Sequence, residues 1–137
     1  MRKASVNLEH KFQLKVEDLV ATQGLYPIER AERHSWCWGG RSNTVGFLCD
    51  MPQAGHYRFT VKLANAIKGA IEAINGVLIN GISTKFYVAP VASEIVFEQA
   101  ISRNCLVQIF CPVRSVVPDD ARRLSVALAQ IDIERLL

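Results

Sequence analysis

A chain of 137 residues is long enough to bury one substantial core and short enough to be a single domain. Half of it is hydrophobic and 21% is charged, which excludes an extended disordered protein, and no stretch approaches the ~20 apolar residues of a membrane-spanning helix. The net charge of +3 comes from scattered lysines and arginines with no basic run, so these charges read as a solvated surface rather than a nucleic-acid interface.

Residues 1–10 are expected to be an N-terminal arm that need not be ordered, and 11–137 a single β-sandwich domain. Period-two alternation dominates the chain. Phe12, Leu14 and Val16 alternate with Gln13, Lys15 and Glu17. Thr44 to Asp50 is a short apolar run closed by the breaker-rich Asp50-Met51-Pro52-Gln53-Ala54-Gly55. Tyr57, Phe59, Val61 and Leu63 then alternate with Arg58, Thr60 and Lys62, the clearest half-buried strand. Ile71 to Ile74, Asn75-Gly76 and Val77 to Ile79 read as two strands joined by a type I′ turn, and Asn80-Gly81 repeats the turn signal. Further strands are expected at Lys85 to Val88, Glu94 to Phe97 and Cys105 to Phe110. Pro118 to Arg123 reads as a polar turn, and Leu124 to Ile133 as the closing strand.

Strands recurring every eight to twelve residues predict an all-β, antiparallel sandwich or barrel. An α+β alternative stays open, because three segments also fit helices. Ile67, Ala70, Ile71, Ile74 and Val77 share a helical face, Ala92 to Ala100 has helical composition, and Asp120 is placed to cap a helix through Leu124, Leu128 and Ile131. Asn75-Gly76 would interrupt the first of these and the last is rich in β-branched residues, so strands are favoured.

Nothing before Glu9 has the apolar run of a signal peptide, and a cytoplasmic location is the default expectation. Cys37, Cys49, Cys105 and Cys111 fit that location as buried, reduced thiols. They lack the paired spacing of a structural zinc site, and His34-x-x-Cys37 is a single half-motif, so neither metal nor cofactor is expected. A Cys105–Cys111 disulfide would matter only in an exported protein.

Gly24-Leu25-Tyr26-Pro27-Ile28-Glu29, Trp36-Cys37-Trp38-Gly39-Gly40, Asn75-Gly76 and Asp120-Ala121-Arg122-Arg123-Leu124-Ser125-Val126-Ala127-Leu128 occur in that order. This series resembles the jelly-roll domains that accompany bacterial glycosyltransferases and other surface-polysaccharide proteins, over about residues 12 to 135. Two departures stand out. Ser125 occupies a position where glycine is usual, and the glycosyltransferase portion is absent, which leaves open whether the chain stands alone. The resemblance implies a jelly-roll fold and a role in polysaccharide assembly, with a glycosyltransferase domain among its partners.

Tyr26, Trp36 and Trp38 are the candidates for a sugar-stacking platform, because an aromatic face packs on the C–H face of a pyranose. On a strand, Trp36 and Trp38 point to one side. Glu29, Arg33, Arg41, His34 and Asn43 lie close in sequence and are suited to bond sugar hydroxyls or an acidic sugar's carboxylate. The competing reading is structural: two same-side tryptophans are more often core, and Glu29 with Arg33 or Arg41 more often an ordinary ion pair. Asp120 and Arg123 read as a brace for the loop before the last strand.

Catalysis finds little support. His10, His34 and His56 are dispersed, His34 and Ser35 would face opposite sides of a strand, and no nucleophile-elbow, zincin, phosphate-loop or dinucleotide motif is present. The reading is therefore a non-catalytic module that binds an oligosaccharide or polysaccharide through Tyr26, Glu29, Arg33, Trp36, Trp38 and Arg41. The alternative is a protein–protein interaction or homo-oligomerisation module without a sugar site.

Overall fold

The computed structural model of the protein describes residues 10–136. Most of the expected arm, residues 1–9, lies outside the described residues. The described chain is built from antiparallel strands joined by turns, with one short 3-10 turn at Val16–Asp18 and no α-helix.

Fourteen strands follow in order: β1 Lys11–Lys15, β2 Val20–Gln23, β3 Glu29–Ala31, β4 His34–Trp38, β5 Thr44–Asp50, β6 Gly55–Ala66 and β7 Gly76–Ile79, then β8 Ile82–Ser83, β9 Phe86–Ala89, β10 Glu94–Ile101, β11 Asn104–Phe110, β12 Ser115–Val117, β13 Asp120–Leu124 and β14 Val126–Leu136. One sheet of seven strands runs β3-β4-β14-β6-β10-β9, with β1 also on β14. A second sheet of five strands runs β2-β5-β11-β7-β8. Strands β12 and β13 form a separate hairpin. This is an all-β, jelly-roll-like sandwich.

The alternation read in the sequence sets the faces. Tyr57, Phe59, Val61 and Leu63 of β6 point inward with Ile95 and Phe97 of β10 and Ile131 and Ile133 of β14. They meet Val45, Phe47 and Cys49 of β5, Val107 and Ile109 of β11, and Val77 and Ile79 of β7 from the other sheet. Phe59 and Phe97, directly opposite each other across β6 and β10, stack with ring centroids 5.1 Å apart. Burial on this scale is the main stabilising contribution to a two-layer fold.

Several expectations are corrected. Ile71 to Ile74 is not a strand but a run of turns, closed by backbone bonds Ala70 N to Ile67 O and Ile74 N to Ile71 O. In a strand Ile71 and Ile74, three apart, would face opposite sides; turns let both enter the core beside Ala70. Asn75-Gly76 is accordingly no hairpin turn. That role falls to Asn80-Gly81 between β7 and β8, where φ is 52° and 79°, as a type I′ turn requires. Ala92 to Ala100 belongs largely to β10, and Asp120 starts β13 rather than a helix. The closing strand is broken at Ser125, because Leu124 pairs back on Ser115 while Val126 enters the large sheet beside Ala66.

The thiols are buried and unpaired. Cys105 sits on β11 and Cys111 just past its end, six residues on, so an extended chain holds them roughly 20 Å apart, beyond disulfide reach. The cross-strand neighbour of Cys105 is Cys49.

Candidate functional site

The outer face of the large sheet carries a second apolar cluster, separate from the main core. Strand alternation sends Cys37 inward and leaves Trp36 and Trp38 outward. Trp38, Leu124 and Ala127 are buried there, and Tyr26, Trp36, Ile67 and Val117 pack around them. The β12–β13 hairpin folds over this patch through Val117 and Leu124. Its turn is Pro118-Asp119, with Asp119 at φ 67°, a conformation that aspartate tolerates better than most residues.

The sequence around the tryptophans explains the close approach. Gly40 has φ 124°, and a Cβ there would lie 2.2 Å from the Arg123 carbonyl oxygen. A Cβ on Gly39 would lie 2.5 Å from Val45 Cγ2 and 2.9 Å from Ser125 Oγ. The glycine pair lets β4 end against the β13–β14 junction, fixed by Ser125 N to Gly39 O at 2.9 Å and Gly39 N to Val126 O at 2.7 Å. Ser125 Oγ is fully buried and has no hydrogen-bond partner. In β14 the register shifts around Leu128, so Ala129 has no partner on β6 and lines the outer surface.

The result is a cleft of about 760 Å³. Trp36, Trp38, Ala64 and Ala129, with Val117, Pro118 and Leu124 of the hairpin, supply its apolar lining, and Glu29, His34, Asn65, Asp119, Asp120 and Arg122 line its polar rim. This is within the size range of small-ligand sites.

Arg122 organises the rim. Its Nη1 donates to Glu29 Oε2 at 2.8 Å, its Nη2 to Asp120 Oδ2 at 2.7 Å, and its Nε to Asp120 Oδ1 at 3.0 Å. The Arg122 backbone N–H also donates to Asp120 Oδ1 at 3.0 Å. These bonds hold the Asp120 carboxyl down at about 2 and raise the guanidinium above its already high value. The guanidinium lies 5.1 Å from the Tyr26 ring centroid, with Arg41 5.8 Å from the same ring. Tyr26 Oη donates to the Arg123 carbonyl at 3.0 Å.

Of the residues singled out in the sequence, the structure brings Glu29, His34, Trp36, Trp38 and Asp120 into the cleft. Tyr26 stands behind Arg122 and braces it. Arg33, in the exposed β3–β4 turn, and Arg41, bonded to the Leu25 carbonyl at 3.5 Å, line no part of the cleft. The ion-pair partner of Glu29 is Arg122, not Arg33 or Arg41, and it is Arg122 rather than Arg123 that pairs with Asp120. Ninety-three residues separate Glu29 from Arg122, so no local pattern announces the pair. Asn65, Asp119 and Arg122 are the rim residues that sequence reasoning missed. Among the described residues, no group of three or more histidine, cysteine or acidic side chains is arranged to hold a metal ion.

No protein-family model and no curated protein matches the sequence. Solved structures do share its fold, carbohydrate-binding modules among them. A family 35 carbohydrate-binding module from Clostridium thermocellum aligns with a TM-score of 0.57 at 13% identity, over 90% of this chain and 96% of that one. The family 6 C-terminal module of LamC from Zobellia galactanivorans gives 0.56 at 11% identity, over 91% and 99%. The Podospora anserina GH26-CBM35 β-(1,4)-mannanase gives 0.59 at 12% identity over 94% of this chain, which spans only 28% of that enzyme. At these identities the likeness is one of fold.

Proposed function

We propose that the protein is a non-catalytic carbohydrate-binding module whose site is the cleft between β4 and the β12–β13 hairpin. The observation that carries this reading is the apolar floor of Trp36 and Trp38 under a rim of hydrogen-bonding groups, in one concave site of about 760 Å³. A pyranose needs such a combination: an aromatic surface for its C–H face and charged or amide groups for its hydroxyls. The fold shared with carbohydrate-binding modules supports it. The motif series from Tyr26 to Leu128 extends the proposal to bacterial polysaccharide assembly or recognition, with a glycosyltransferase domain as partner. A single shallow site gives affinities in the micromolar-to-millimolar range. Titration of an oligosaccharide panel by calorimetry tests the proposal. Saturable binding to at least one sugar is expected, and flat titrations across neutral, amino and acidic glycans refute it.

A second reading rests on the opposite face of the molecule. The outer side of the five-stranded sheet places Val20, Leu48 and Leu106 in one row, with Leu78 and Phe110 in the next two. Among the described residues these three rows carry no charged side chain, and Asp50 stands one row beyond, at the end of β5. The large sheet carries Arg58, Lys62, Glu98, Asp132 and Glu134 in ion pairs on its outer side. An uncharged face suits a second copy of itself, without like-charge repulsion. Its strands, of two to seven residues, offer about 400 Å² of flat surface, less than a stable half-interface needs and in keeping with weak association. Sedimentation equilibrium decides: a weak dimer abolished by Leu48→Glu supports this reading, and a monomer at millimolar concentration removes it.

A further inference from the structure

The chemical class of the glycan follows from the charge balance of the cleft, on the assumption that the cleft is the sugar site. Its lining holds three carboxylates, Glu29, Asp119 and Asp120, against one guanidinium, Arg122. The guanidinium is already committed: Asp120 takes it through Nε and Nη2, and Glu29 takes Nη1. Arg33 and Arg41, the arginines near the aromatic cluster in sequence, lie outside the cleft. Protonated His34 would still leave the carboxylates in the majority. Asp119, at the tip of the β12–β13 turn, is exposed and makes no side-chain hydrogen bond or ion pair among those found in the described residues.

We infer that the cleft accepts amino-sugar glycans in preference to their neutral counterparts and excludes uronates. The carboxylate of a uronate stacked on Trp36 would face Glu29 and Asp119 with no uncommitted cation among the described lining residues to receive it, and like charges in a half-desolvated site repel. An ammonium on the same ring meets the unshared oxygen of Glu29 and the free carboxylate of Asp119, a charge-assisted contact. Neutral sugars retain the stacking and the hydroxyl bonds and lose only the ionic part. The rim therefore selects ligand charge, and the tryptophan floor supplies affinity common to all pyranoses.

The test compares tetrasaccharides of glucosamine, N-acetylglucosamine and galacturonic acid on the intact chain by calorimetry at pH 6. At 50 mM salt the glucosamine tetramer is expected to bind at least fivefold more tightly than the acetylated one, and the galacturonate not measurably. The ratio should fall toward one at 500 mM salt, because the part that differs is ionic. Asp119→Asn, which keeps a residue tolerant of positive φ in the turn, should at least halve the ratio. A glucosamine-to-acetylated ratio of one or less, or galacturonate binding as tight as the acetylated sugar, overturns this inference and leaves the sugar site standing. Absence of binding by all three, with the wider panel also flat, overturns the site and the inference together.

Discussion

Trp36 and Trp38 lie two residues apart on one strand and one face, yet the structure predicts opposite consequences for their loss. Trp38 is 9% exposed and packs against Leu124 and its cross-strand neighbour Ala127. A tryptophan side chain buries up to about 250 Å², so nine-tenths of that at about 25 cal/mol per Å² is an upper bound near 5–6 kcal/mol. A compact unfolded state and the retained Cβ reduce this to about 4 kcal/mol for Trp38→Ala, in the usual range for large-to-small core changes. At roughly 4 °C per kcal/mol for a domain of this size, Tm should fall by about 15 °C. Trp36 is only partly covered, and Trp36→Ala should cost less than about 1.5 kcal/mol while weakening sugar binding at least tenfold, about 1.4 kcal/mol of stacking. Urea melts followed by far-UV circular dichroism give the stabilities, and calorimetry the affinities. Each variant retains a single tryptophan, so emission wavelength reports each environment separately. Equal destabilisation by the two variants, or undiminished binding by Trp36→Ala, would refute the division into support and platform.

Other consequences are as specific. Ser125 carries a buried hydroxyl without a partner, so Ser125→Ala should stabilise the protein by about 1 kcal/mol in chemical denaturation, and a loss of that size would mean the hydroxyl is satisfied. The Asp120 carboxyl, held at about 2 against 3.8 when free, binds fewer protons in the folded state, so its contribution is complete above about pH 4 and is lost as pH falls toward 2. Asp120→Asn should therefore lose less stability than the parent between pH 5 and pH 2, and parallel acid profiles would show that folding does not depress this carboxyl. Burial raises the thiols of Cys37 and Cys111, the latter to about 12. The native protein should therefore resist iodoacetamide at pH 8 and label fully in urea; rapid native labelling seen by mass spectrometry would contradict the packing.

The strands were legible because a half-buried sheet imposes a period of two. Thr44 to Asp50 and the Tyr57 to Leu63 alternation stand in the structure where the sequence places them. Asn80-Gly81 was legible because its backbone demands positive φ. Where a local signal serves two purposes, the sequence misleads. Asn75-Gly76 has turn chemistry, but the buried Ile71 and Ile74 beside it satisfy the core only in turns. The aromatic cluster was visible as a candidate, and the same-side placement of Trp36 and Trp38 follows from strand geometry alone. Which side was a tertiary decision: Cys37 faces the main core, and the tryptophans lie beneath the β12–β13 hairpin. That hairpin comes from the far end of the chain and brings Arg122 to Glu29, displacing the neighbouring Arg33 and Arg41 as its partner. Alternation is a property of each strand and is written locally. The pairing of charges across a cleft depends on which segments the packed sheets bring together, and only the closed sandwich decides that.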